Sequence, residues 1–136
     1  MRLFKGSKKS KYSLPVLKKK ALGEIYSSEE FRRIVEKERA RADRNDHILS
    51  LVVFDLGTSG LKYNTSIQLI ENICGRIRFI DELGWYDKQR IAMILPYTSN
   101  KGATKLAENI CESLDGATPK PVCTVYTYPV DKLNDK

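Results

Sequence analysis

The sequence predicts a mixed α/β (α+β) domain of ferredoxin-like type: a βαββαβ core whose antiparallel sheet carries helices on one face. Two observations point there. Periodic segments follow the order strand, helix, strand, strand, helix, strand, which is that of a split βαβ unit. The first and third strand-like runs are almost continuously apolar, as central strands are. The second and fourth admit polar residues, as edges do. One further helix precedes this core.

Residues 1–22 mix Lys, Ser and Gly with scattered Leu3, Phe4, Leu14, Val16 and Leu17, without any sustained period. A flexible basic tail is expected there, followed by one domain over 23–130 and a short C-terminal tail over 131–136. The N-terminal helix begins sharply. Ser27 and Glu30 have the spacing of a capping box, and Tyr26 and Phe31 that of a hydrophobic staple. Phe31, Ile34, Val35 and Glu38 line one face, so burial should fade after Val35 and leave a solvated outer half up to Arg44. Leu49 to Asp55 (LSLVVFD) reads as a strand buried on both faces. Gly57 to Gly60 turns the chain, and Asn64 can cap a helix with Ile67, Ile70, Cys74 and Ile77 inward. Gly75 inside that helix would cost about 1 kcal/mol relative to Ala. Ile80 to Tyr86 and Arg90 to Leu95 read as a hairpin turning over Asp87 to Gln89. Ser99 or Asn100 caps the next helix, with Ala103, Leu106, Ala107, Ile110 and Leu114 inward and Gly116 at its end. Pro119 and Pro121 flank the loop into a last strand, Val122 to Tyr128.

A chain of 136 residues suits one domain with a real core. No apolar run approaches the ~18–20 residues of a membrane span, and the basic N-terminus lacks the apolar stretch of a secretory signal. The formal net charge of +7 is concentrated: Arg2, Lys5, Lys8, Lys9, Lys11, Lys18, Lys19 and Lys20 are eight cations without an acid, so residues 21–136 stand at 7 − 8 = −1. A nearly neutral domain argues against a basic groove for specific nucleic acid. The tail suits either weak contact with an anionic membrane surface or a plain solubilising linker. Cys74, Cys111 and Cys123 are an odd count without metal-type spacing, and we read them as buried reduced thiols in a cytoplasmic protein.

The stretch RFIDELGWYDKQRIAMILPYTSNKGATKLAENI (Arg78 to Ile110) resembles the second half of a GGDEF (diguanylate cyclase) domain whose signature has been erased. IAMILP, Thr98, Gly102-Ala103 and LAENI fit the family frame, in which the signature hairpin leads to Leu-Leu-Pro and a Thr-x-x-x-Gly-Ala helix. Phe31 to Leu56 is similar to the family's first helix and strand, and Pro121 to Pro129 to its closing strand. The resemblance implies a nucleotidyl-cyclase-like fold. It puts the vestigial signature on Asp87, Lys88, Gln89, Arg90 and Ile91.

Active members hold two Mg²⁺ ions with carboxylates from the first strand and the signature hairpin, and the ions neutralise charge during phosphoryl transfer. Asp55 matches the first carboxylate, a vestigial metal position. Gly57 stands where a second Asp is usual, and Arg90 replaces the essential Glu. A cation there repels Mg²⁺, and the segment between Asp55 and Asp81 is shorter than the family's. The resemblance therefore implies no catalytic residues, metal or cofactor. It implies a regulatory module with a protein partner or homodimer contact, rather than a cyclase.

Arg78 and Asp81 form an Arg-x-x-Asp pair five residues before the vestigial signature, the spacing of the family's inhibitory site for cyclic di-GMP. Guanidinium and carboxylate suit guanine edges and phosphate, so a cyclic di-GMP receptor is the alternative function. The plainer assignment gives Asp81 the helix-to-strand junction and leaves Arg78 solvated. Trp85, beside Gly84 and Tyr86, is either a stacking platform or a cover for the sheet and a protein contact. VVFDLGTSGLK (Val52 to Lys62) also resembles the phosphate loop of sugar kinases, but that fold is far larger and continues with a strand. His47, the sole histidine, lies in a loop without triad or metal companions.

Overall fold

The computed structural model describes residues 25–57, 63–114 and 120–129, with side chains from Ser66 onward in the second helix. The tails at 1–22 and 131–136, and Gly60, Gly116 and Pro119, lie outside the described residues. The elements are α1 (Ser28–Asn45), β1 (Leu49–Asp55), α2 (Tyr63–Cys74), β2 (Glu82–Asp87), β3 (Arg90–Pro96), α3 (Asn100–Glu112) and β4 (Val122–Tyr128).

The strands form one antiparallel sheet in the order β2-β3-β1-β4, so the two apolar strands are central and the mixed ones are edges. Alternation along β1 sends Val52 and Phe54 to one face and Leu49 and Val53 to the other, which explains why its sequence shows no polar side. The main core lies beneath α2 and α3, where Leu69, Ile70, Ile73, Ala103, Ala107 and Ile110 meet Val52, Phe54, Ile91 and Met93. A smaller core on the opposite face places Phe31 and Ala42 of α1 on Leu49, Val53, Ala92 and Ile94. The sheet is therefore covered from both sides.

α1 starts as its sequence dictates. Ser27 Oγ accepts from the Glu30 amide at 3.2 Å, and Glu30 Oε1 accepts from the Ser27 amide at 3.1 Å. The helix ends at Asp46 in the left-handed region, φ 55°. Its burial does not fade after Val35: Glu38 and Ala42 are buried as well. Ala42 lets the second half approach β1 closely, and Arg41 lies 3.4 Å from the Glu38 carboxylate. Tyr128 then fastens this end to β4, its hydroxyl donating to Asp43 Oδ1 at 2.7 Å beneath the Arg39 guanidinium.

Gly84 marks a close approach of β2 to α1. A Cβ on it would stand 2.6 Å from Phe31 Cδ1 and 2.9 Å from Phe31 Cβ and Cγ, so the ring occupies the space a side chain would need. Tyr26 bridges to this edge in parallel fashion, its carbonyl accepting from Trp85 N at 2.8 Å.

Other boundaries shift. Asn64 lies inside α2 rather than capping it, and Gly75 follows its last residue, donating to Glu71 O. The buried stripe of α2 is Ser66, Leu69, Ile70 and Ile73, while Ile67, Cys74 and Ile77 are only partly covered. Two apolar stripes share Ile70, and contact with the sheet selects between them. β2 starts at Glu82 rather than Ile80, because Arg78 to Asp81 forms a turn that leaves Phe79 and Ile80 exposed. α3 ends at Glu112 with Ser113 as its cap.

Candidate functional site

The hairpin between β2 and β3 has Lys88 and Gln89 at its tip, with Asp87 and Arg90 paired across its mouth. Arg90 Nε donates to Asp87 Oδ2 at 2.8 Å, Nη2 donates to the same oxygen, and the guanidinium stacks over Tyr86 at 4.8 Å. This bond holds the Asp87 carboxyl below its usual range. Gln89 N donates to Asp87 Oδ1 at 3.0 Å, and Gln89 O accepts from Leu56 N at 2.9 Å, which ties the tip to the end of β1. Ile91 points into the main core and is fully buried.

Asp55, the last residue of β1, is the register partner of Arg90. Its Oδ1 accepts from Gly57 N at 2.8 Å. Gly57 has φ 84°, a conformation that β-carbon-bearing residues adopt at a cost. The place where a second strand-end carboxylate would stand is thus a backbone turn. Two carboxylates, Asp55 and Asp87, and two cations, Lys88 and Arg90, leave this part of the sequence charge-balanced. Among the described residues no three metal-ligating side chains gather.

Arg78 and Asp81 meet each other. Asp81, 1% exposed, accepts from Arg78 N at 2.7 Å, Nε at 3.2 Å and, through Oδ1, Nη2 at 2.8 Å. Arg78 Nη2 also donates to Pro96 O at 2.7 Å and Thr98 Oγ1 at 2.9 Å. Asp81 thus takes the helix-to-strand junction, as the plainer assignment has it, while Arg78 is bonded across to the end of β3 rather than simply solvated. A carboxylate held this far inside is stable because three donors replace its water. The pair joins the turn before β2 to the end of β3. Pro96 and Thr98 were not read as its partners, since nothing in a sequence says which carbonyl a half-exposed arginine will reach.

Trp85 is partly buried against the main core, so it covers the sheet rather than offering an open platform. His47 Nδ1 hydrogen-bonds Ile48 O at 3.0 Å, and the ring stacks on Tyr97 at 4.0 Å between centroids, a structural arrangement. The stretch after Gly57 leads into helix α2, not the strand that a sugar-kinase loop requires. The three cysteines are half-buried free thiols rather than fully buried ones. Cys111 and Cys123, far apart in the sequence pattern, lie 2.9 Å apart at sulfur.

No protein-family model matches the sequence, and no curated protein does. Solved structures do. A diguanylate cyclase protein from Thermotoga maritima superposes with a TM-score of 0.66 at 15% identity, over 82% of this chain and 94% of that one. The GGDEF domain of DgcB from Caulobacter crescentus, solved with cyclic di-GMP, gives 0.54 at 15% identity over 78% and 71%. Diguanylate cyclase SiaD from Pseudomonas aeruginosa, solved with its activator SiaC, gives 0.55 at 15% identity over 84% and 52%. Sheet order, helix placement and these superpositions agree: the chain has the fold of a GGDEF diguanylate cyclase domain.

Proposed function

We propose that the chain is a GGDEF-fold domain without cyclase activity, working as a regulatory or protein-interaction module in bacterial, cytoplasmic signalling. The observation that carries this reading is Arg90. It stands in register with Asp55 and is ion-paired with Asp87, so a guanidinium occupies the hairpin position from which the family supplies a metal-binding carboxylate. Diguanylate synthesis needs a metal to offset phosphate charge, and a guanidinium here opposes that metal. SiaD, solved with a protein activator, offers a precedent for a protein partner on this fold. The eight-cation segment 1–20 would add attraction to an anionic membrane surface. Among the described residues no helix is long and apolar enough to cross a membrane.

A second reading, a cyclic di-GMP receptor acting through Arg78 and Asp81, draws on the DgcB complex and on the 48% exposure of the Arg78 side chain. It gains less support from the geometry, since Asp81 is already satisfied by Arg78. One experiment separates the readings. Purified protein is incubated with GTP and Mg²⁺ or Mn²⁺, then titrated with cyclic di-GMP by calorimetry. The module reading expects no product and no heat at high micromolar ligand. Product abolished by Asp55→Ala would overturn it in favour of a cyclase. Saturable heat lost in Arg78→Ala would overturn it in favour of a receptor.

A further inference from the structure

We propose that Cys111 and Cys123 are the two halves of a reversible intramolecular disulfide, closed by hydroperoxides, that ties the last turn of α3 to the first residues of β4. Cys111 is the second-last residue of α3 and Cys123 the second residue of β4. Their sulfurs are 2.9 Å apart, about 0.9 Å more than a disulfide bond length. Both backbones are anchored independently of the sulfurs. Cys111 lies in a helix packed on the main core, and Cys123 is held in register with Phe54 of β1. Closing the bond therefore needs a small side-chain movement, not a rearrangement of the sheet. Both side chains are half-buried, so a small oxidant can reach them while bulky thiols are hindered.

The surroundings make the pair unequal. The Cys111 and Cys123 thiols are within hydrogen-bond reach of each other, and Cys111 lies near Lys120, whose Nζ donates to Cys111 O at 3.1 Å. The Cys123 hydrogen bond, assisted by Lys120, lowers the Cys111 thiol below its ordinary value and raises Cys123. Cys111 is thus the attacking sulfur. Its thiolate attacks one peroxide oxygen: an S–O bond forms, the O–O bond breaks, and hydroxide leaves to become water. The Cys123 sulfur then attacks the sulfenic sulfur of Cys111. The S–S bond forms, the S–O bond breaks, and a second water departs with the Cys123 proton. Two thiols and one peroxide give one disulfide and two waters. Cys74 serves as an internal control, because burial pushes its thiol up to about 12.

The test uses the full chain, reduced, desalted and exposed to hydrogen peroxide, with catalase ending each time point. Peptide mass mapping should find Cys111 joined to Cys123 with two hydrogens lost, Cys74 still alkylatable after unfolding, and full reversal by dithiothreitol. The oxidised form should melt higher, by roughly 10 °C for a cross-link closing a loop of this size. In Cys123→Ser, dimedone should trap a sulfenic acid on Cys111; in Cys111→Ser, Cys123 should stay unlabelled. A disulfide that includes Cys74, a linkage between chains, or Cys111 over-oxidised beside a free Cys123 would overturn the proposal. So would an unchanged mass under peroxide that fully oxidises glutathione in the same tube, or an oxidised form melting below the reduced one.

Discussion

Replacing Gly84 by Ala adds a single methyl group where α1 and β2 have no room for it. The new carbon would sit 2.6 Å from Phe31 Cδ1, whereas carbon atoms pack at about 3.5–4.0 Å, so the overlap is about 0.9 Å. Two of the three close atoms, Cβ and Cγ, are the stem of the ring and cannot swing away without moving α1. That helix is held by its capping box and by Tyr26 on the edge of β2. Overpacking of this kind costs about 1–3 kcal/mol, of which the better strand propensity of Ala returns about 0.5–1. We expect Gly84→Ala to lose roughly 1–2 kcal/mol in urea denaturation. Phe31→Ala alone should lose about 3–5 kcal/mol by opening a cavity. The informative measurement is the double mutant. With the ring gone the methyl fits, so the pair should be more stable than the sum of the singles by at least about 1 kcal/mol. Additive losses, or a neutral Gly84→Ala, would refute the reasoning that the ring excludes a side chain at this position.

Two further outcomes follow from the ion pairs. Asp81→Asn should cost about 1.5–3 kcal/mol, because a buried acceptor of three hydrogen bonds loses its charge while Arg78 can return to water; a loss below about 0.5 kcal/mol in urea denaturation would show the pair to be decorative. Asp87 has a folded value below its ordinary 3.8, so its contribution is present above that pH and fades as pH falls through the folded value. The small stability difference between the native chain and Asp87→Asn should therefore appear at pH 7 and vanish under strong acid. A difference that grew on acidification would contradict the assigned sign.

What could be read in advance follows how local each signal is. The start of α1 was legible because Ser27, Glu30, Tyr26 and Phe31 satisfy one another within a single turn. β1 and β4 were legible because length, β-branching and flanking turns agree. The inward face of α2 was not, since Ile67, Leu69, Ile70, Ile73 and Cys74 admit two stripes and only the sheet decides. The candidate site divides in the same way. The turn over Asp87 to Gln89, which sets Arg90 opposite Asp87, is a local hairpin signal, whereas Arg90 opposite Asp55 depends on how β3 docks against β1. The inward turn of Asp81 and the meeting of Cys111 with Cys123 depend on how separate elements dock, and a linear pattern carries no record of that.

The Tyr26 bridge also makes the sheet's two margins unequal. A strand at the border of a sheet offers amides and carbonyls to any extended chain that comes alongside. On β2 the Trp85 amide is already engaged by Tyr26, and α1 leaves that segment too close for another strand to slide in. On β4 the described residues supply no neighbour beyond β1, and Val122 and Tyr126 are exposed along it. Among the described residues, then, β4 is the margin that offers room to an extended chain, and a lysine at Thr124 would make that margin less receptive while leaving β2 untouched.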